Sequence, residues 1–164
     1  MKKAFSLLFL LFAFLNSFSQ SDCSCCTEVH QQFDFWVGSW IVYDTTGKEV
    51  GRNTIKRIED QCALMEEWKG GGGSTGSSIN YFNSSDSSWN QVWVDNQGNV
   101  LELKGGMKGN SMVLRSELIK GKQGTYYNQI KWTPHEDKSV SQVWKIHNKE
   151  GQELKTLFIG IYRR

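Results

Sequence analysis

Glu66, Glu67 and Asp95 stand within two residues of the large indoles Trp68 and Trp93. A carboxyl buried beside such a ring loses the hydration of its charged form, so its pKa rises towards neutrality. A group poised there can donate or accept a proton at ordinary pH. These three acids are the candidates for acid–base chemistry of an isomerase, cyclase or hydrolase type. Carboxylates in folded proteins are usually partnered or solvated, and no single residue takes a catalytic role on sequence grounds.

The glycine-rich stretch offers two further patterns. Gly71-x-Gly73-x-x-Gly76 has the spacing of a dinucleotide-phosphate loop, which needs a helix behind it. Gly72-Gly73-Ser74-Thr75-Gly76 has the spacing of a nucleophile elbow, which needs a following helix and a histidine partner. A strand-like segment follows both, so residues 69–78 are expected to form a flexible loop, a lid over whatever the fold encloses. His30, His135 and His147 fall in the leading segment, a turn and a strand end. Their spacing matches no metal site. His147 is expected to be solvated, with haem ligation as the rarer alternative.

Four cysteines, Cys23, Cys25, Cys26 and Cys62, allow three pairings. Bonding the neighbours Cys25 and Cys26 to each other is strained. A bridge from the N-terminal cluster to Cys62 would tie the leading segment to the main fold, which makes Cys26 and Cys62 structural candidates. The compact Cys-x-Cys-Cys run also suits a thiolate metal site. No histidine completes that set, and disulfides are the default outside the cytosol, so no metal is expected.

The elements that must position these groups are strands. Segments 39–44, 51–59, 62–68, 77–83, 88–95, 99–104, 111–118, 125–132, 139–147 and 153–162 alternate in polarity, and Gly- and Asn-containing turns separate them. The single proline, Pro134, falls in a turn. A short helix is expected over residues 27–37. Ten antiparallel strands joined by short turns expose two edges unless they close, and closure predicts an all-β, antiparallel up-and-down β-barrel.

Residues two apart share one face of a strand. Trp89, Gln91, Trp93 and Asp95 therefore point together, as do Glu66 with Trp68, Asn128 with Ile130 and Trp132, and Gln142 with Trp144. The indoles are the largest apolar groups and belong inside, and the polar residues go in with them. A buried amide or carboxyl without a partner costs about 1–3 kcal/mol. Such groups must satisfy one another, hold water or meet a ligand. The first outcome is a filled barrel; the last is a cavity with aromatic walls and few polar groups, the usual make-up of a small-molecule site.

The chain opens with Met1, Lys2 and Lys3, an apolar run over residues 4–15, and small residues at Ser17 and Ser19. That is the pattern of an export signal cut ahead of Gln20, with residues 20–32 as a Cys-containing leader and 33–164 as the barrel. The apolar run is shorter than the roughly 20 residues a spanning helix needs. Lipid anchoring at Cys23 would put Asp22 where a small residue is wanted. Cleavage would leave 145 of 164 residues and take two of the 19 basic ones, giving 17 against 17 acidic. A neutral chain lacks the basic surface of a nucleic-acid binder.

Two ends of the chain resemble the lipocalin and calycin barrels: Phe33-Asp34-Phe35-Trp36-Val37-Gly38-Ser39-Trp40 and Phe158-Ile159-Gly160-Ile161-Tyr162-Arg163-Arg164. The resemblance implies a Gly-x-Trp at the start of the first strand and a late basic residue stacked on it, here Trp40 with Arg163. A fuller resemblance is to family 1579 of the bacterial domains of unknown function. It rests on FDFW-x-G-x-W at Phe33 to Trp40, on Cys62, Glu66 and Trp68, and on Trp89-x-Gln91-x-Trp93-Val94-Asp95. Trp132-Thr133-Pro134 and Gly160-x-Tyr162-Arg163-Arg164 complete it. It implies a lipocalin-like barrel and brings no catalytic residue. Related haem-binding barrels carry a histidine in a late strand; residues 153–164 have none, and no cofactor is expected.

The leading expectation is an exported, secreted or periplasmic barrel that binds a small, partly polar or hydrophobic molecule. Glu66, Trp68, Trp89, Gln91, Trp93, Asn128, Trp132, Gln142 and Trp144 would line its site. The alternatives are the carboxylate-using enzyme and a non-catalytic structural or interaction barrel of the cell envelope. Neither nucleic acid nor stable membrane insertion is expected, and the sequence carries no signal for an oligomeric state.

Overall fold

The alternation of polarity becomes eleven antiparallel strands in a computed structural model that describes residues 23–164. The expected export signal and Asp22 lie outside those residues. A short helix α1 (Glu28–Gln31) and a 3-10 turn (Asp34–Trp36) precede β1 (Gly38–Tyr43), β2 (Glu49–Ile58), β3 (Ala63–Gly70), β4 (Thr75–Asn83), β5 (Ser88–Asp95) and β6 (Val100–Lys108). Then come β7 (Ser111–Arg115), β8 (Ile119–Gly121), β9 (Gly124–Pro134), β10 (Val140–Asn148) and β11 (Glu153–Arg163). Ten of these close an up-and-down barrel, with β11 pairing back onto β1. The exception is β8, which pairs only with β9.

Two of the expected strands change their bounds around the β6–β7 pair. The chain leaves the wall after Arg115, so the expected strand 111–118 is cut short; Ser116 caps it by exchanging hydrogen bonds with Asn128. β6 runs on through Gly105-Gly106-Met107-Lys108, where glycines conceal a strand from propensity. At Gly105 a Cβ would collide with the backbone of β7 at Val113, so the close approach of the two strands requires glycine.

One end of the barrel is stoppered from outside the sheet. Phe33 and Trp36, both fully buried, stack at 4.9 Å between ring centroids. They contact Trp89 and Trp132 at 5.6 and 5.2 Å from Phe33. The stopper is held at three points. Trp40 Nε1 donates to the Trp36 carbonyl at 2.8 Å, Arg57 ion-pairs with Asp34, and the Cys25–Cys62 disulfide joins the leader to the β2–β3 turn. Cys26 pairs with Cys23, so the partner of Cys62 is Cys25 and not Cys26. In that turn Glu59, Asp60 and Gln61 all adopt left-handed backbone, a conformation unfavourable for non-glycine residues and fixed here beside the bridge. Among the described residues no helix is long and apolar enough to cross a membrane.

The cation on the first-strand tryptophan is Arg164, not Arg163. Its guanidinium lies 4.8 Å from the Trp40 ring centre and donates to the Val37 carbonyl at 3.0 Å. Strand parity explains the correction. Trp40 and Val42 face inward, and Val42 opposes Tyr162. Counting by two from Tyr162 reaches 164, whereas Arg163 faces outward opposite Ile41. The β1–β11 seam has only three paired positions, so this clasp secures the weakest closure. Arg164→Ala should destabilise the fold by about 1–2 kcal/mol in urea unfolding, since a cation–π contact and a charged hydrogen bond are lost but both are weakened by exposure to solvent. Arg163→Ala should stay within about 0.5 kcal/mol; equal effects of the two would refute the assignment.

Candidate functional site

Above the stopper the inward residues change from aromatic to polar, and above those the barrel is hollow. A cavity of about 360 Å³ opens at the end away from Phe33, at the small end of the roughly 300–1,000 Å³ typical of ligand pockets. It gathers Glu66, Trp68, Gln91, Trp93, Gln142 and Trp144 of the expected site residues. Trp89 and Trp132 do not reach it: both pack against Phe33 in the closed end. Asn128 shares the inner face with Ile130 but does not line the cavity; it accepts the Trp144 indole N–H at 2.9 Å. The interior is thus filled in one half and open in the other.

The floor of the cavity is a belt of polar side chains from six strands. Gln91 Nε2 donates to Asn80 Oδ1 at 2.8 Å, and Asn80 Nδ2 donates to Ser78 Oγ at 2.9 Å. Ser78 donates to Glu66 Oε2 at 2.6 Å, and Asn53 Nδ2 donates to Glu66 Oε1 at 2.7 Å and to the Tyr162 hydroxyl at 3.3 Å. The Tyr162 hydroxyl donates to Gln142 Oε1. Register makes these neighbours: Glu66 opposes Ser78 and Asn80 opposes Gln91 across adjacent strands. Every donor that touches Glu66 points at it, the arrangement an ionised carboxylate requires.

Glu66 is 5 % exposed. Burial raises its pKa to about 7 against the opposing hydrogen bonds from Ser78 and Asn53. Tyr162 is pushed well above its usual range, first by burial and then by the charge of Glu66. The other two candidate acids are not part of the site. Glu67 faces outward and pairs with Lys56 at 2.8 Å, which lowers its pKa. The Asp95 carboxylate caps the β5–β6 turn, accepting the Asn99 side chain and the backbone N–H groups of Gln97 and Asn99; those bonds lower its pKa. Neither is a general acid poised near neutrality. His147 also departs from expectation: it is buried and stacks on Tyr127 at 5.2 Å.

Glycines set the width of the opening. The Trp68 ring lies over Gly51 and the Phe158 ring over Gly160, where a Cβ would come within 2.5 and 2.7 Å of the rings. The Trp93 ring sits closer still over Gly76. Without side chains beneath them the rings lie along the wall and leave the centre free. Residues 69–78, expected as a flexible loop, are mostly strand, and the turn between β3 and β4 is tight: the Gly70 N–H bonds to the Ser74 carbonyl at 2.7 Å. Asn96 of the next mouth turn also binds this hairpin, donating to the Gly73 carbonyl and accepting the Thr75 N–H. This side of the mouth is therefore a fixed rim.

Sequence reading missed Asn53, Ser78, Asn80, Tyr162 and Phe158. For Asn53 and Phe158 the alternation signal existed, since they share a face with Ile55 and Tyr162. For β4 it was inverted. The inner positions Gly76, Ser78 and Asn80 are small or polar, while Ile79 and Tyr81 face solvent.

Glu66 has a higher pKa in the fold than in the unfolded chain. The stability this contributes is present below about pH 4.5 and is lost as pH rises through about 7. Between about pH 5 and 8 the protein should lose about 2–3 kcal/mol from this group. Chemical denaturation across that range should show a flatter profile for Glu66→Gln; parallel profiles would contradict the burial of the charge. Gly76→Ala should lift the Trp93 ring from its seat, shift tryptophan emission and destabilise the fold by about 1–3 kcal/mol, and an unchanged spectrum and midpoint would show that the ring does not depend on the glycine.

Comparison with known proteins adds no relative: no protein-family profile matches the chain, and neither does any curated protein.

Proposed function

We propose that this protein is an exported, periplasmic or secreted carrier that holds one small, partly polar molecule in the open half of its barrel. The observation that supports this best is the asymmetry of the interior. One end is packed solid by Phe33, Trp36 and Trp132, while the other keeps an aromatic cavity over a hydrogen-bonded floor. Gln91 and Gln142 line that cavity. The belt engages Gln91 as a donor and Gln142 as an acceptor, which leaves the opposite end of each amide for a ligand. Two disulfides within the described residues suit an oxidising compartment. The motif resemblance to family 1579 and the lipocalin-like ends are part of the same reading.

Acid–base catalysis by Glu66 is the second reading, favoured by a carboxyl of pKa about 7 at the cavity floor. It requires turnover governed by a group titrating near that value and abolished in Glu66→Gln.

Native mass spectrometry of residues 20–164 from the exported fraction tests the carrier. The expected result is a reproducible extra mass that disappears on denaturation. Gln91→Leu with Gln142→Leu should then lower the bound fraction. If the double variant is more stable and retains the full bound mass, the amides do not serve the ligand and this picture falls.

A further inference from the structure

The groups lining the cavity are unequal in charge and in hydrogen-bonding sense. Among the described residues Glu66 is its one readily ionised side chain, and no lysine, arginine or histidine lines it. Among the described residues Glu66 forms no ion pair; its partners are the neutral Asn53 and Ser78. One hydrogen bond to each oxygen leaves about half of a carboxylate's acceptor capacity unused.

The donors around it are already committed. The Ser78 hydroxyl is spent on Glu66, the Tyr162 hydroxyl on Gln142, and the Asn53 amide on Glu66 and Tyr162. Gln91 Nε2 donates to Asn80 and, at 3.4 Å, to Ser78, so the cavity meets its carbonyl oxygen. The Trp144 N–H is committed to Asn128, and its ring lines the cavity. Within the belt, only the Gln142 NH₂ remains as a donor. The walls are aromatic: Trp68, Trp93, Trp144 and Phe158. Indole faces carry negative potential and attract cations, most strongly where water is excluded.

From this census we propose that the cavity binds an organic cation, an amine or quaternary ammonium with a compact apolar body. The charged head is set towards Glu66 and the Gln91 carbonyl, and the body lies between the tryptophans. This rests on the carrier reading and names its ligand class. An anion would meet a carboxylate and π faces with only neutral donors, Gln142, Ser74 and the Trp68 and Trp93 indoles, to offset them, and a neutral apolar molecule would leave the carboxylate unanswered. The other groups facing Glu66 come from β2, β4, β5, β10 and β11. Of these only Tyr162 titrates, and burial keeps it neutral through the physiological range.

Three probes of one shape and different charge decide the matter: phenethylamine, 2-phenylethanol and phenylacetate, titrated into the mature protein by calorimetry and tryptophan quenching. The amine should bind at least about tenfold tighter than the alcohol at pH 8, and phenylacetate weakest. Benzyltrimethylammonium, whose charge does not titrate, should lose about tenfold in affinity from pH 8 to pH 5.5 as Glu66 takes up its proton. Glu66→Gln should remove both the preference and the pH dependence. Trp144→Leu, which keeps Glu66, should weaken the amine more than the alcohol and serves if the first variant does not fold. Equal binding of amine and alcohol, tighter binding of phenylacetate, or no binding of any probe at about 10 mM overturns the cation. Whether the carrier reading falls with it is decided separately, by the mass of the protein isolated from its own exported fraction.

Discussion

A barrel of about eight strands already has room for one small ligand, and ten enclose more than their own inward side chains fill. Phe33 and Trp36 decide how that space is divided. Their rings enter from a segment outside the sheet and pack against Trp89 and Trp132. Holding two bulky rings on a 3-10 turn and its cap residue, after a helix of four residues, demands external restraint, because neither element is stable alone. The restraints converge there: the Trp40 hydrogen bond, the Arg57–Asp34 pair and the Cys25–Cys62 bridge. A bridge spanning 37 positions restricts the unfolded chain by about 4 kcal/mol on a loop-entropy argument. Trp36 and Trp132 bury indole N–H groups without acceptors, so the rings themselves are seated by packing, while the three restraints hold the segment that carries Phe33 and Trp36.

The belt above the stopper solves a different problem. An empty apolar cavity is only a packing defect, but an empty polar one must not leave its groups unsatisfied. The chain of donors from Gln91 through Asn80 and Ser78 to Glu66, joined through Asn53 to Tyr162 and Gln142, settles most of these demands internally. Such connected bonds also polarise one another. The floor is therefore ordered before anything binds, and a ligand need not supply the energy of ordering it.

How much of this was legible in the sequence follows from which signal each element carried. The barrel and ten of its strands follow from alternation and turn residues, because every wall strand has one buried and one solvated face. The inward set Glu66, Trp68, Gln91, Trp93, Gln142 and Trp144 follows from the same period, with tryptophan marking the face. The division of the interior did not follow. Alternation tells inside from outside but carries no coordinate along the barrel axis, so Trp89 and Trp132 looked equivalent to Trp68 and Trp93. In β4 the rule inverts, with Ser78 and Asn80 inside and Ile79 outside, and hydrophobicity conceals these two members of the belt. Arg164 for Arg163 is an error of parity that only the β1–β11 register resolves.

The glycines at 51, 76 and 160 join these points. In a strand an isolated glycine weakens the sheet, and its retention marks a close approach. Here the approaching group is an aromatic ring of the same barrel face, laid flat where a side chain would otherwise stand. At the closed end the rings stack into the centre; at the open end glycine lets them retreat to the wall. The β3–β4 and β5–β6 turns of the mouth are then bonded to each other through Asn96, which fixes that side of the opening. On that side selection rests on what is fixed in place: the spacing of the rings, and the charge and hydrogen-bonding sense of the floor they surround.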